Sequence, residues 1–170
     1  MTRDVIYLPT PQKVVDKMLE VAAVGSNDLV YDLGCGDGRI LVTAATRCGA
    51  RGVGFEMDPL LVGMARDNVS RNNVGHLVTI EQRDLFEVDL SDASVVTLFL
   101  FPALHVRLVP QFMKLRPGAR IVSHNFEIEG VPHDGAWLVA SGDDIAPDEV
   151  REHEVYLWRA PIKRGGSTVA

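Results

Sequence analysis

The sequence predicts an α/β protein: one largely parallel sheet of about seven strands, covered by helices and finished by an antiparallel C-terminal edge. Three observations predict it. Strand-length apolar segments alternate with helical patterns from the N-terminal region to about residue 124. The fourth such segment, Ser94 to Phe101 (SVVTLFLF), is apolar on both faces, as a central parallel strand is. After residue 125 the alternation stops, and segments at about 136–141 and 153–159 read as an antiparallel ribbon across a polar loop.

In order along the chain, residues 11–24 space Val14, Val15, Met18, Leu19, Ala22 and Ala23 as one helical face, with Pro11 suited to the first turn. Thr10 stands where an N-cap belongs. Leu29 to Leu33 is the first strand. A glycine-rich turn leads into a helix from Arg39 to Cys48 that ends at Gly49. Arg51 to Glu56 is the second strand. Asp58-Pro59 opens the next helix, aspartate as N-cap and proline at N1, running to about Asn72. His76 to Gln82 and Ser94 to Phe101 are strands three and four, and Pro102 to Leu115 is a helix. Pro117-Gly118 turns the chain into strand five, Ala119 to His124. Residues 125–135, with Gly130, Pro132 and Gly135, hold no helix. The expected domain is 1–162, followed by a frayed tail at 163–170.

The 170 residues fit one domain and fall short of the about 250 that an eight-fold β/α barrel needs. Seventeen Lys and Arg against 23 Asp and Glu give a net charge of −6, which speaks against broad nucleic-acid binding. Cys35 and Cys48 match neither a redox pair nor half a zinc site, so a reduced, cytoplasmic protein is expected and no metal. Met1 to Thr10 lacks the apolar run of an export signal, and no segment approaches a membrane span.

The strongest chemical signal is Asp32-Leu-Gly34-Cys-Gly36-Asp-Gly38-Arg39, where strand one meets a helix. A nicotinamide loop needs G-x-G-x-x-G, but the third position falls on Arg39 or Leu41, so a dehydrogenase is disfavoured. The helix start attracts an anion, whereas Asp32 in front of it suits an ammonium. S-adenosylmethionine (SAM) carries both charges on its amino-acid end. Glu56 closes strand two, 24 residues after Asp32, where an acid accepts hydrogen bonds from ribose hydroxyls. Asp58 competes for that role but precedes Pro59 as a cap. Asp84, after strand three, is placed to take an adenine amino group, with Leu85 among the apolar neighbours of the ring. Asp89 and Asp92 read as capping or solvent-facing.

Together these motifs resemble a class I SAM-dependent methyltransferase, which implies a Rossmann-like fold and S-adenosylhomocysteine (SAH) as product. More narrowly, Tyr7-Leu-Pro-Thr-Pro11, Val30 to Ile40, Phe86-Glu-Val-Asp89, Val95 to Leu100 and Leu115 to His124 are similar to one small family. Its members are the broad-specificity protein-lysine methyltransferases of archaea, their bacterial homologues and animal mitochondrial relatives. The resemblance covers roughly residues 7–128. It implies a cofactor contact for Thr10 and a protein partner with an accessible lysine, leaving the oligomeric state undefined. A small-molecule or RNA methyltransferase, or a non-catalytic SAM- or SAH-binding protein, are the alternatives.

Strand four ends Leu98-Phe-Leu-Phe-Pro102, without the polar Asn/Asp-Pro-Pro-Tyr/Phe clamp that adenine-N6 and glutamine methyltransferases carry. Phe99 and Phe101 read either as core or as walls of an acceptor channel. A lysine acceptor, with a pKa of about 10.4, is neutral in roughly one molecule in 2,500 at pH 7, a cost of about 4.6 kcal/mol. An apolar channel lowers that pKa. His124, ending strand five, is the histidine nominated to assist, ahead of His105 and His76. Residues 125–155 hold nine acids (Glu127, Glu129, Asp134, Asp143, Asp144, Asp148, Glu149, Glu152 and Glu154) against Arg151 alone. Over the carboxyl ends of the strands they form a rim that attracts cationic acceptors. Arg107, Lys114, Arg116 and Arg120 are the one basic stretch an RNA would use.

Overall fold

A computed structural model describes residues 7–165. Residues 1–6, searched above for an export signal, and 166–170 of the expected tail lie outside the described residues. The elements are α1 (Gln12–Val21), β1 (Leu29–Leu33), α2 (Arg39–Cys48), β2 (Arg51–Glu56), α3 (Pro59–Arg71), β3 (Val78–Gln82), a 3-10 turn (Leu85–Glu87), β4 (Val95–Leu98), α4 (Pro102–Phe112), β5 (Arg120–His124), β6 (Gly135–Ser141) and β7 (Arg151–Arg159). They form one seven-stranded sheet in the order β3-β2-β1-β4-β5-β7-β6.

Strands β1 to β5 are mutually parallel, β7 runs antiparallel beside β5, and β6 antiparallel beside β7. The expected mixed sheet is therefore present, with its reversed edge. The chain builds outward from β1 to β3, then returns to β4 on the other side of β1. That reversal places a ligand crevice outside the carboxyl ends of β1 and β4.

Alternate residues of the strands feed two cores. Val30, Val95, Val122 and Val155 pack with α1, α2 and α3 on one face. Leu33, Val96, Ile121 and Trp158 pack with Leu108, Val109 and Phe112 of α4 on the other. The central strand β4 buries every residue, and all but Thr97 are apolar. Trp158 is fully buried and its indole N–H donates to the Val131 carbonyl, 2.9 Å away, fixing the helix-free link after β5.

Several boundaries differ from the sequence reading, for local reasons. The first helix stops at Val21 because Ala23 takes a left-handed φ of 50°. Val24 N–H then donates to Leu19 C=O and Ala23 N–H to Glu20 C=O, closing a Schellman turn without a glycine. Pro11, not Thr10, occupies the N-cap, and no side chain caps this helix. The third strand starts at Val78 because Leu77 and Val78 N–H groups both turn back to Val74 C=O. The fourth strand is half as long as expected. It leaves the ladder after Leu98, since its neighbour β1 ends opposite it at Leu33 and turns away through Gly34. Past Phe112, the helix expected to reach Leu115 tightens into three-residue hydrogen bonds. Gly165 N–H donates to Gly130 C=O, 2.6 Å away.

Candidate active site

The glycine bend is built as its spacing implies. Gly34, Gly36 and Gly38 all have φ between 55° and 77°, a region closed to most side chains. Gly38 is also the N-cap of α2 and lies against α3, where an added methyl would meet Ala65 at 3.3 Å. Over Gly36 lies the ring of Tyr7, and the Asp37 N–H donates to the Tyr7 hydroxyl at 3.1 Å. The segment before α1 thus roofs the bend.

Asp32 points into the crevice from the end of β1, buried to 3% exposure. Its Oδ1 accepts the Thr97 hydroxyl of β4 at 2.8 Å, and no cation pairs with it among the described residues. Burial pushes its carboxyl pKa up to about 7, against the hydrogen bond from Thr97. A buried carboxylate without a counterion is strongly disfavoured, so the site is electrostatically incomplete and fits an ammonium.

Glu56 is half-buried at the end of β2. Its two oxygens accept the N–H groups of Gly36 and Asp58, each at 3.2 Å, which ties the bend to the start of α3. Asp58 performs the capping role expected of it, accepting from Leu60 N–H at 2.9 Å. Asp84 caps the 3-10 turn by accepting from Phe86 N–H at 2.9 Å, and Leu85 follows it, half-buried. Gln111 of α4 donates to the carbonyls of Leu85 and Val88, and the Arg107 guanidinium lies 3.7 Å above the Phe86 ring. This side of the crevice is thereby anchored to α4.

Thr10 lies at the opposite wall, its carbonyl accepting from Arg39 and its hydroxyl 3.1 Å from His124 Nδ1. His124, nominated from the sequence to assist the acceptor, ends β5 beside Thr10. It is buried, its second nitrogen is 2.9 Å from His153 Nδ1, and burial with His153 lowers its pKa to about 3. Both ring nitrogens of His124 are thus engaged within the protein. His105 is buried as well, its Nδ1–H donating to the Glu127 carbonyl, so it holds the link after β5.

Sequence reasoning missed Thr97, Phe126 and His153. Thr97 had a signal, as the polar residue inside an otherwise apolar run. Phe126 had none; it stacks with Phe99 at 6.1 Å between centroids and lies 6.1 Å from Phe101, while Phe99 sits 4.1 Å from the His124 ring. These three rings form an aromatic cluster where β4 and β5 end, with Phe101 55% exposed.

The register of β5, β7 and β6 places the loop 142–150 beyond the carboxyl ends of the parallel strands, with Asp143, Asp144, Asp148 and Glu149 on it. Asp144 bridges back to Arg39 at 2.8 Å, and Arg39 also grips Asp37 of the bend. Asp134 is not part of that rim: it sits at the start of β6, accepting from Arg159 N–H. Nor do the three arginines of 102–120 make one face. Arg107 stacks on Phe86, Arg116 donates to the Asp92 carbonyl, and Arg120 is ion-paired with Asp28 near the amino ends of the strands.

This sheet order, its reversed edge and an acid-led glycine bend at the switch point define a class I SAM-dependent methyltransferase. The match to known proteins narrows the class. Residues 32–135 fit the model of the ANTKMT methyltransferase domain, and the chain belongs to that family. It is 48% identical to a protein-lysine N-methyltransferase of Saccharolobus islandicus, over 89% of this chain and 91% of that one. It is 36% identical to the adenine nucleotide translocase lysine N-methyltransferase of Mus musculus, over 72% of this chain but only 53% of the mouse protein. Among solved structures, an RNA methyltransferase from Salinibacter ruber in complex with SAH superposes with a TM-score of 0.81 at 44% identity, covering 91% of this chain and 94% of that one. No helix of the described residues is long and apolar enough to cross a membrane.

Proposed function

We propose that this chain transfers the methyl group of SAM to the side-chain amine of lysine in a protein. The observation that carries the acceptor assignment is the aromatic cluster of Phe99, Phe101 and Phe126 beneath an acidic loop at the carboxyl ends of the strands. An acidic rim draws a cationic side chain from solution, and the aromatic faces then pack against its methylene stem. The Saccharolobus relative's name agrees with that chemistry.

In this reading Asp32 takes the ammonium of the cofactor, Glu56 the ribose hydroxyls, and Asp84 with Leu85 the adenine. Gly34 and Gly36 let the cofactor's amino-acid end approach the backbone, and Thr10 lies at that end. The bound cofactor supplies an activated methyl on a sulfonium, so the protein adds in-line placement and exclusion of water. The Phe99–Phe101–Phe126 wall is apolar, which lowers the amine's pKa and reduces the about 4.6 kcal/mol needed to deprotonate it. Its proton leaves to water at the open side by Phe101.

RNA methylation is the competing reading, favoured by the name of the Salinibacter ruber protein. The dispersed bases of 102–120 and the net charge of −6 oppose it. Incubation with methyl-labelled SAM and a cell extract decides. Label recovered as methyl-lysine supports the proposal, and label in RNA with none in protein overturns it.

A further inference from the structure

A row of four groups crosses the buried end of the sheet: the Thr10 hydroxyl, His124, His153 and the Ser141 carbonyl. The contacts are 3.1 Å from Thr10 Oγ1 to His124 Nδ1, 2.9 Å from His124 Nε2 to His153 Nδ1, and 3.2 Å from His153 Nε2 to Ser141 O. All four residues are buried. One end of this row has no choice. A carbonyl only accepts, so His153 Nε2 carries a hydrogen. A neutral imidazole has one N–H, which leaves His153 Nδ1 bare and able only to accept. His124 Nε2 therefore carries its ring's hydrogen, and His124 Nδ1 in turn is bare. The Thr10 hydroxyl is left one role, donating to His124.

We infer that His124 and His153 are positioning residues whose fixed hydrogen-bond order makes the Thr10 oxygen an obligate acceptor for an ammonium group in the active site. With its hydrogen committed inward, Thr10 turns only lone pairs toward the crevice. The row does not conduct a proton away from the acceptor amine, because it ends on a carbonyl that cannot take one. The ammonium belongs either to the cofactor's amino-acid end or to the incoming amine, and this part rests on the methyltransferase reading above. The charged groups around the pair, Asp143, Asp144, Glu152, Arg151 and Arg39, are all on the adjoining loop, β7 or α2. None interrupts the row.

The order of hydrogens is read directly by long-range 1H–15N correlation of histidine side chains in the intact protein at pH 8. Both His124 and His153 are expected as the Nε2–H form. His124 protonated on Nδ1 overturns the row, whatever the protein binds. Thr10→Val is expected to weaken either the calorimetric Kd for SAM or the acceptor KM about ten- to 150-fold, the loss of one bond to a charged group. Thr10→Ser restores it within threefold. A change in Kd assigns the ammonium to the cofactor, and a change in KM alone assigns it to the acceptor. No change in either overturns the acceptor role. His153→Leu lets His124 populate both tautomers, and the same constant rises at least threefold; a constant that stays put overturns the positioning role. Failure of wild-type protein to bind SAM while both rings show Nε2–H overturns the ammonium assignment and the reading beneath it, and leaves the row intact.

Discussion

Thr97 of β4 donates its hydroxyl hydrogen to Asp32 of β1 across 2.8 Å, among the described residues the one hydrogen bond between side chains of the two strands that flank the switch point. It leaves the carboxylate buried with one neutral partner and a pKa near 7.

The first prediction follows from that pKa. An ammonium bound beside Asp32 favours the ionised form, so at low pH binding must first displace a proton. SAM affinity is expected to rise about an order of magnitude from pH 6 to 7.5, and calorimetry in buffers of differing ionisation enthalpy reads the released proton. Asp32→Asn removes the pH dependence and weakens SAM about ten- to 150-fold.

Stability moves the other way. A carboxyl whose folded pKa lies above its unfolded value of 3.8 adds stability below that value, and the gain is lost as pH rises through about 7. Unliganded Asp32→Asn is therefore expected to be as stable as wild type near pH 4. It should be more stable by about 4 kcal/mol above pH 8, where the buried charge is absent. Denaturant unfolding of both proteins across that range checks the sign.

Glu56→Gln keeps one acceptor oxygen for the bend but loses the charge. Binding of SAM is expected to fall roughly tenfold, and Glu56→Ala, which also frees Gly36 and Asp58 N–H groups, to fall further. Circular dichroism should be unchanged, since the strand pairing around Glu56 does not depend on its side chain.

Phe126→Ala opens the aromatic cluster without touching the glycine bend. The acceptor KM should rise several-fold while the Kd for SAM stays within twofold. Phe101→Ala, at the exposed end of the cluster, should show the same pattern more weakly.

Ala23→Gly relieves a left-handed alanine that closes α1, and Ala23 is exposed, so nothing else is lost. The fold should gain about 1 kcal/mol, seen as a rise of about 2–4 °C in melting temperature.

Most of the fold was legible because its signals are local. The Asp58-Pro59 start of α3, the Gly49 end of α2 and the bounds of β1 and β2 each follow from a few neighbouring residues. Legibility failed where a distant partner decided. The early exit of β4 depends on β1 ending opposite it, and Thr10 leaves the N-cap place to Pro11 while its hydroxyl meets His124, 114 positions away yet within hydrogen-bonding distance. The placement of the acid-led bend, Glu56 and Asp84 at the strand ends was readable from spacing. The burial of His124 was not, since His153 across the antiparallel edge uses its second nitrogen. The acidic run looked uniform as sequence, but the hairpin register splits it, sending Asp134 to one end and the loop 142–150 to the other.

The guanidinium of Arg39 holds Asp37, the Thr10 carbonyl and Asp144 at once, so one side chain buttons together stretches of chain made early and late in translation. A polypeptide lacking the β6–β7 hairpin keeps the glycine bend and Asp37 but loses the far arm of this clasp. The turn at the head of α2 thus draws part of its bracing from a partner 105 positions along the chain, in place only once the β6–β7 hairpin has closed.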